Sequence, residues 1–208
     1  MIKRELYMNR IRPFIGGELI KVMTGIRRSG KSVMLELIKE ELAEAGVAPS
    51  QMISINFEDM RYSHLQTATA LHDEIIKRAE GIEGKAYLFF DEIQEVEGWE
   101  KCVNSLRVAL DCDIYITGSN AKLLSGELAT YIGGRYVEFV IYPFSFAEFL
   151  ELYHTIAPSD SIQQCFQKYL LAGGMPYLAN LRYEEEPARL YLTDLFNSVQ
   201  LNDIVKRN

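Results

Sequence analysis

Eight consecutive residues, Gly25-Ile26-Arg27-Arg28-Ser29-Gly30-Lys31-Ser32, fit the pattern G-x-x-x-x-G-K-[ST]. Glycines let such a loop curl until successive backbone N–H groups converge on one anion. A lysine at this position reaches the β- and γ-phosphates of a nucleoside triphosphate, and the hydroxyl after it ligates Mg²⁺. Lys31 and Ser32 take those roles, and Val33 closes the run that would contact the nucleotide. A second group follows at Tyr87-Leu88-Phe89-Phe90-Asp91-Glu92, an apolar run ended by two acids. Asp91 would hold Mg²⁺ opposite Ser32, and Glu92 would act as the general base that polarises an attacking water.

Two further groups are less specific. Thr117-Gly118-Ser119-Asn120 could place a hydroxyl or an amide against a γ-phosphate, but small polar residues are also ordinary turn chemistry. Ser119 and Asn120 remain alternatives for that role. Arg135, after Gly133-Gly134, could stabilise charge on a transferring phosphoryl group, in its own chain or a neighbouring one.

Those side chains need a rigid frame. Leu19 to Thr24 reads as a strand and Lys31 to Ala45 as a helix, with Gly46 and Pro49 ending it. The loop therefore sits between strand and helix, where free helical N–H groups and the helix dipole favour an anion. Met52 to Phe57 alternates as a strand, and Leu65 to Ala79 has helical spacing. Ala86 to Asp91 is apolar throughout, as a strand buried on both faces must be. Trp99 to Leu110 reads as a helix, Asp113 to Thr117 as a strand, Ala121 to Leu128 as a short helix and Arg135 to Tyr142 as a last strand. Alternation of strand and helix demands crossovers, hence a parallel sheet in an α/β fold. After Pro143 the pattern turns helical, at Phe146–Tyr153, Ser161–Leu171 and Pro187–Val205. We expect a core over 1–143 and a small helical subdomain over 144–208. The final amphipathic helix stops without a stop signal, so a longer parent protein is expected.

Composition bounds the function. The chain has 208 residues, 48% apolar and 25% charged, with a net charge of −7. An acidic balance argues against a broadly basic nucleic-acid surface, so DNA is a weakly supported partner. Three cysteines without C-x-x-C spacing read as buried, reduced thiols. No stretch has the length and apolarity of a bilayer span, and no leader pattern opens the chain, so a cytoplasmic protein is expected. No Asn-Lys-x-Asp element for guanine occurs.

Together, Gly25–Ser32, Asp91-Glu92, Ile116-Thr117-Gly118-Ser119-Asn120, Gly134-Arg135 and Tyr142-Pro143-Phe144-Ser145-Phe146-Ala147-Glu148-Phe149 occur in this order. The chain thereby resembles the AAA-type P-loop ATPases of the archaeal and bacterial group whose longer members carry a DUF4143 C-terminal domain, here without most of that domain. The resemblance implies a central parallel sheet in the order 5-1-4-3-2, followed by helices. It implies ATP and Mg²⁺, with Glu92 as catalytic base, Lys31 on the phosphates, Ser119 nearest the sensor position and Arg135 matching the finger or sensor arginine. The expected activity is ATP hydrolysis driving a conformational switch on a macromolecule, either a protein partner or a second copy. The alternative is a nucleotide-gated scaffold with little hydrolysis of its own.

Overall fold

Three strands, buried almost along their whole length, need cover on both faces, and with two less buried edge strands they form one parallel sheet. A computed structural model describes residues 2–118 and 132–204. The strands are β1 (Ile20–Thr24), β2 (Met52–Asn56), β3 (Ala86–Asp91), β4 (Cys112–Thr117) and β5 (Tyr136–Val140). Their order is β2-β3-β4-β1-β5, which read from the other edge is the expected 5-1-4-3-2. Every neighbouring pair is parallel.

The chain divides into two units, Glu5–Gly25 with Lys31–Ile141, and Met1–Arg4 with Ile26–Gly30 and Tyr142–Asn208. In the first, helices cover both faces of the sheet: α1 (Glu5–Ile11), α2 (Lys31–Glu44), α3 (Ala68–Ala79) and α4 (Trp99–Ala109). Side chains alternate across a strand, and the two cores follow that rule. Leu88 and Phe90 of β3 pack with Leu71, Ile75, Val103 and Leu106 from α3 and α4. Phe89, between them in sequence, packs on the other face with Met8, Ile11, Met34 and Ile38 from α1 and α2. It stacks on Tyr115 of β4 with ring centroids 4.8 Å apart. The expected helix over Leu65 to Ala79 begins later, at Ala68. Met60–Leu65 is instead a 3-10 segment, and the Thr67 hydroxyl caps α3 by accepting from the Ala70 N–H at 3.3 Å. The last strand likewise begins after Arg135, at Tyr136. The helix expected over Ala121 to Leu128 lies outside the described residues. All three cysteines are free and buried, and burial pushes the Cys102 thiol up to about 12 and the Cys112 thiol up to about 11.

A charged network is sealed beneath this sheet. Lys21 of β1 and Asp113 of β4 form an ion pair, both side chains fully buried. The remaining Asp113 oxygen accepts from the Tyr115 hydroxyl at 2.7 Å and the Gly16 N–H at 2.6 Å. Burial pulls the Lys21 ammonium below its ordinary pKa even against the attraction of Asp113.

The second unit has its own aromatic core. Helices α5 (Phe146–Tyr153), α6 (Ile162–Ala172) and α7 (Glu185–Ile204) belong to it. Phe149, Tyr153, Cys165, Met175, Leu178 and Tyr183 fill its centre. Ser145 and Glu148 form a capping box that starts α5. A side chain at Gly174 would put its Cβ 2.1 Å from the Phe144 carbonyl oxygen, so this close backbone approach requires glycine. Glu148 pairs with Arg4, Nε to Oε1, at 2.7 Å. Burial alone would raise the Glu148 pKa, but the Arg4 guanidinium and the Ser145 N–H outweigh it and hold the carboxyl below its ordinary value.

Two outcomes are expected from unfolding in urea. Asp113→Ala strands a buried ammonium, an N–H and a hydroxyl, and should destabilise the protein by about 3–5 kcal/mol. The Glu148 carboxylate has a folded pKa below its unfolded one, so its contribution is present above the ordinary carboxylate range and lost as pH falls through the folded value. The gap between wild type and Glu148→Gln at pH about 7 should therefore shrink at pH about 3.

Candidate active site

Parallel strands all release chain at the same edge, and the register places one polar row there. Asn56 of β2 is level with Asp91 of β3. Phe90 is level with Ile116 of β4, so Asp91 stands beside Thr117. Thr117 in turn is level with Met23 of β1, one residue short of the strand's end.

Hydrogen bonds lock this row. The buried Asp91 carboxylate accepts from the Thr117 hydroxyl at one oxygen and from Asn56 Nδ2, at 3.1 Å, at the other. The same Thr117 oxygen accepts the Glu92 N–H at 3.0 Å. One hydroxyl thus fixes both acids. Glu92 sits at φ 55°, ψ 47°, a left-handed conformation in which an ordinary side chain crowds the following carbonyl. Its Oε1 lies 4.0 Å from the Lys31 ammonium, and its Oε2 accepts from Gln94. Lys31 also donates to the Gly25 carbonyl at 3.2 Å. The lysine, its loop carbonyl, the base candidate and the metal-acid candidate are therefore brought together in the sheet unit.

The loop leaves β1 at Gly25 and meets α2 at Lys31. Positive φ angles at Gly25, Arg28 and Gly30, of 140°, 64° and 101°, curl its backbone. Ser29 is fully buried, and among the described residues its hydroxyl has no hydrogen-bond partner. A buried hydroxyl in this position is suited to a polar ligand. Ser32 and Val33 are exposed at the start of α2. Ile26 and Arg27 line an open, mainly apolar groove of about 550 Å³ with Leu192, Leu195, Phe196 and Val199 of α7. The Arg28 guanidinium lies 5.7 Å from the Tyr191 ring centre, a stacking position.

Arg135 is not brought to this edge. Its carbonyl accepts from Ile20 at the opposite, N-terminal end of β1, and its guanidinium donates to Asn104 at 2.9 Å. Thr24 is four residue steps along the strand from Ile20, about 13 Å at the rise of an extended chain. Arg135 thus stands at the end of the sheet opposite Thr24, Asp91 and Thr117. Ser119 and Asn120 lie outside the described residues. Asn56 was missed, and Thr117 was named only as the first residue of the Thr117–Asn120 run. The sequence signal for Asn56 was position alone, since it ends a strand on the edge where the acids emerge.

Among the described residues, no cluster of three or more His, Cys, Asp or Glu forms a metal cage, and no helix is long and apolar enough to cross a membrane. A family model described as an AAA domain matches residues 18–150. An uncharacterized protein of Haemophilus influenzae is 42% identical over 208 residues, covering all of this chain and 51% of that protein. Another, from Methanocaldococcus jannaschii, is 33% identical over 198 residues, covering 91% of this chain and 42% of its own length. The chain thus spans about half the length of the curated relatives it matches or less. Among solved structures, Thermotoga maritima RuvB superposes with a TM-score of 0.58 at 13% identity, over 95% of this chain and 69% of that one. AMPPCP-bound DnaA from Aquifex aeolicus gives 0.56 at 12%, over 99% and 66%. Aeropyrum pernix Orc1 in complex with DNA gives 0.51 at 15%, over 99% and 68%. At such identities the likeness shows the fold alone, an α/β fold of the P-loop NTPase type.

The left-handed backbone at Glu92 yields a clean comparison. Glu92→Gly and Glu92→Ala both remove the carboxylate, but only alanine keeps the backbone strain. The glycine variant should be the more stable of the two by about 1–2 kcal/mol in urea unfolding.

Proposed function

This chain belongs to the AAA-domain family, and on that premise we propose that it binds ATP with Mg²⁺ and hydrolyses it to drive a conformational switch on a macromolecular partner. One observation carries the reading most of the way: Lys31 and Glu92 approach each other beside an Asp91 held at both oxygens. A lysine that meets phosphate and a carboxylate that meets water must be close for in-line attack.

The residues present fit the groups. Curled backbone, a buried ammonium and a buried Ser29 hydroxyl suit a polyphosphate. Hard oxygen donors from Ser32 and Asp91 suit Mg²⁺, which is usually held by few protein ligands and by substrate phosphate. When bound, the ion would neutralise charge on the phosphate oxygens. Glu92 would take the proton of the attacking water, and its fixed backbone would keep it aimed there. Lys31 would hold the γ-phosphate oxygens while the bond to the β-phosphate breaks, leaving ADP and inorganic phosphate.

Arg135 enters this reading only in trans. It is exposed at the far end of the sheet, so the phosphates it would stabilise belong to a neighbouring copy. That placement also favours the second reading, a nucleotide-gated scaffold that turns over slowly until a neighbour supplies the arginine.

Three measurements test the proposal. Lys31→Ala should abolish ATP binding in calorimetry, or turnover at the least. Glu92→Gln should keep binding and lower hydrolysis by about 10²–10⁴-fold. Specific turnover should rise steeply with protein concentration, whereas a flat line near zero leaves the scaffold. Wild-type turnover in purified Glu92→Gln would remove the base assignment.

A further inference from the structure

A phosphate cradle needs its N–H groups turned inward, which turns carbonyls outward. A carbonyl turned into a buried environment then needs a donor of its own. Ser29 is fully buried, and its carbonyl accepts from Arg4 Nη1 at 3.1 Å. Arg4 comes from the N-terminal segment, in the same unit as Ile26–Gly30. It is only 2% exposed. Its other donors are also committed: Nη2 to the Tyr142 carbonyl at 2.9 Å, and Nε to Glu148 at 2.7 Å. The Phe144 ring lies 5.1 Å from the guanidinium carbon. The second Glu148 oxygen accepts from the Ser145 N–H at 2.8 Å, so the carboxylate is tied to the start of α5. At Gly30, φ is +101°, and an added Cβ would sit 3.4 Å from Arg4 Nη1.

We propose that Arg4 is a positioning residue for nucleotide binding, holding the Ser29 carbonyl so that the phosphate loop keeps its open-cradle shape, with Glu148 in turn orienting Arg4. This deepens, and rests on, the reading that the loop binds ATP. It gives the Pro143-Phe144-Ser145-Phe146-Ala147-Glu148 motif a task, since Phe144, Ser145 and Glu148 all serve the guanidinium or its partner. Arg4 touches no phosphate in this scheme. Because Glu148 balances its charge, its effect is on loop geometry rather than on long-range attraction. Lysine cannot replace it, for an ammonium lacks the planar fork that reaches three acceptors at once.

The test titrates a non-hydrolysable ATP analogue with Mg²⁺ into wild type, Arg4→Lys and Glu148→Gln, with circular dichroism to establish the folded fraction. Arg4→Lys should weaken binding by about tenfold or more, the loss of one charge-assisted hydrogen bond. Glu148→Gln, which leaves all Arg4 donors in place, should weaken it less. In steady-state assays the loss should appear in KM, with kcat for the folded fraction within about threefold of wild type, because the loop is needed equally before and during reaction. A merely structural Arg4 would lower the melting temperature and leave the dissociation constant of the folded protein unchanged. Should Arg4→Lys fail to fold, Glu148→Gln carries the test, since it stands away from the loop. Wild-type affinity in the folded variants overturns this proposal and leaves the ATPase reading intact. Failure of wild type itself to bind the analogue overturns both.

Discussion

Parallel strand pairing is the constraint on which everything else depends. In an antiparallel sheet, alternate strands end at opposite edges, and residues that terminate them are scattered. Here β1, β3 and β4 all end together, so Thr24, Asp91 and Thr117 are neighbours although far apart in sequence. The acids then need no special loop to bring them to the lysine. Their strands deliver them, and the helices that cover both faces keep water out from underneath.

Within that frame the polar groups are held in series. Thr117 bonds Asp91 with its hydroxyl hydrogen and receives the Glu92 N–H on its oxygen. Asn56 closes the remaining oxygen of Asp91 from the other side. A carboxylate held this way loses little freedom when it meets a ligand, since its orientation is already fixed. Glu92 is fixed differently, through backbone strain and through Lys31 and Gln94. The buried Lys21–Asp113 pair lies apart from this row. It sits toward the opposite end of the same strands, with Tyr115 and Gly16 as further partners.

Legibility tracked how local each signal was. The curled loop between β1 and α2 could be read because the glycine, lysine and serine spacing itself demands a strand-to-helix turn. The β3 strand could be read because burial on both faces leaves an unbroken apolar run from Ala86 to Phe90. The start of α3 was misplaced because Leu65 fits the helical spacing, while Thr67 imposes a cap that spacing does not reveal. Arg135 matched a motif by its order in the chain, but order says nothing of which end of a strand a residue occupies. Asn56 and Thr117 are ordinary polar residues whose importance comes only from strand register. Arg4 has partners 25, 138 and 144 residues away, and nothing in its surroundings in sequence announces them.

On the proposed reading, the conformation of Glu92 would set folding against turnover. Glycine there would relax the left-handed backbone and remove the carboxylate together. Laboratory evolution that rewards heat tolerance alone would then favour loss of the proposed base, and a thermostable derivative would have to be screened for turnover at every round.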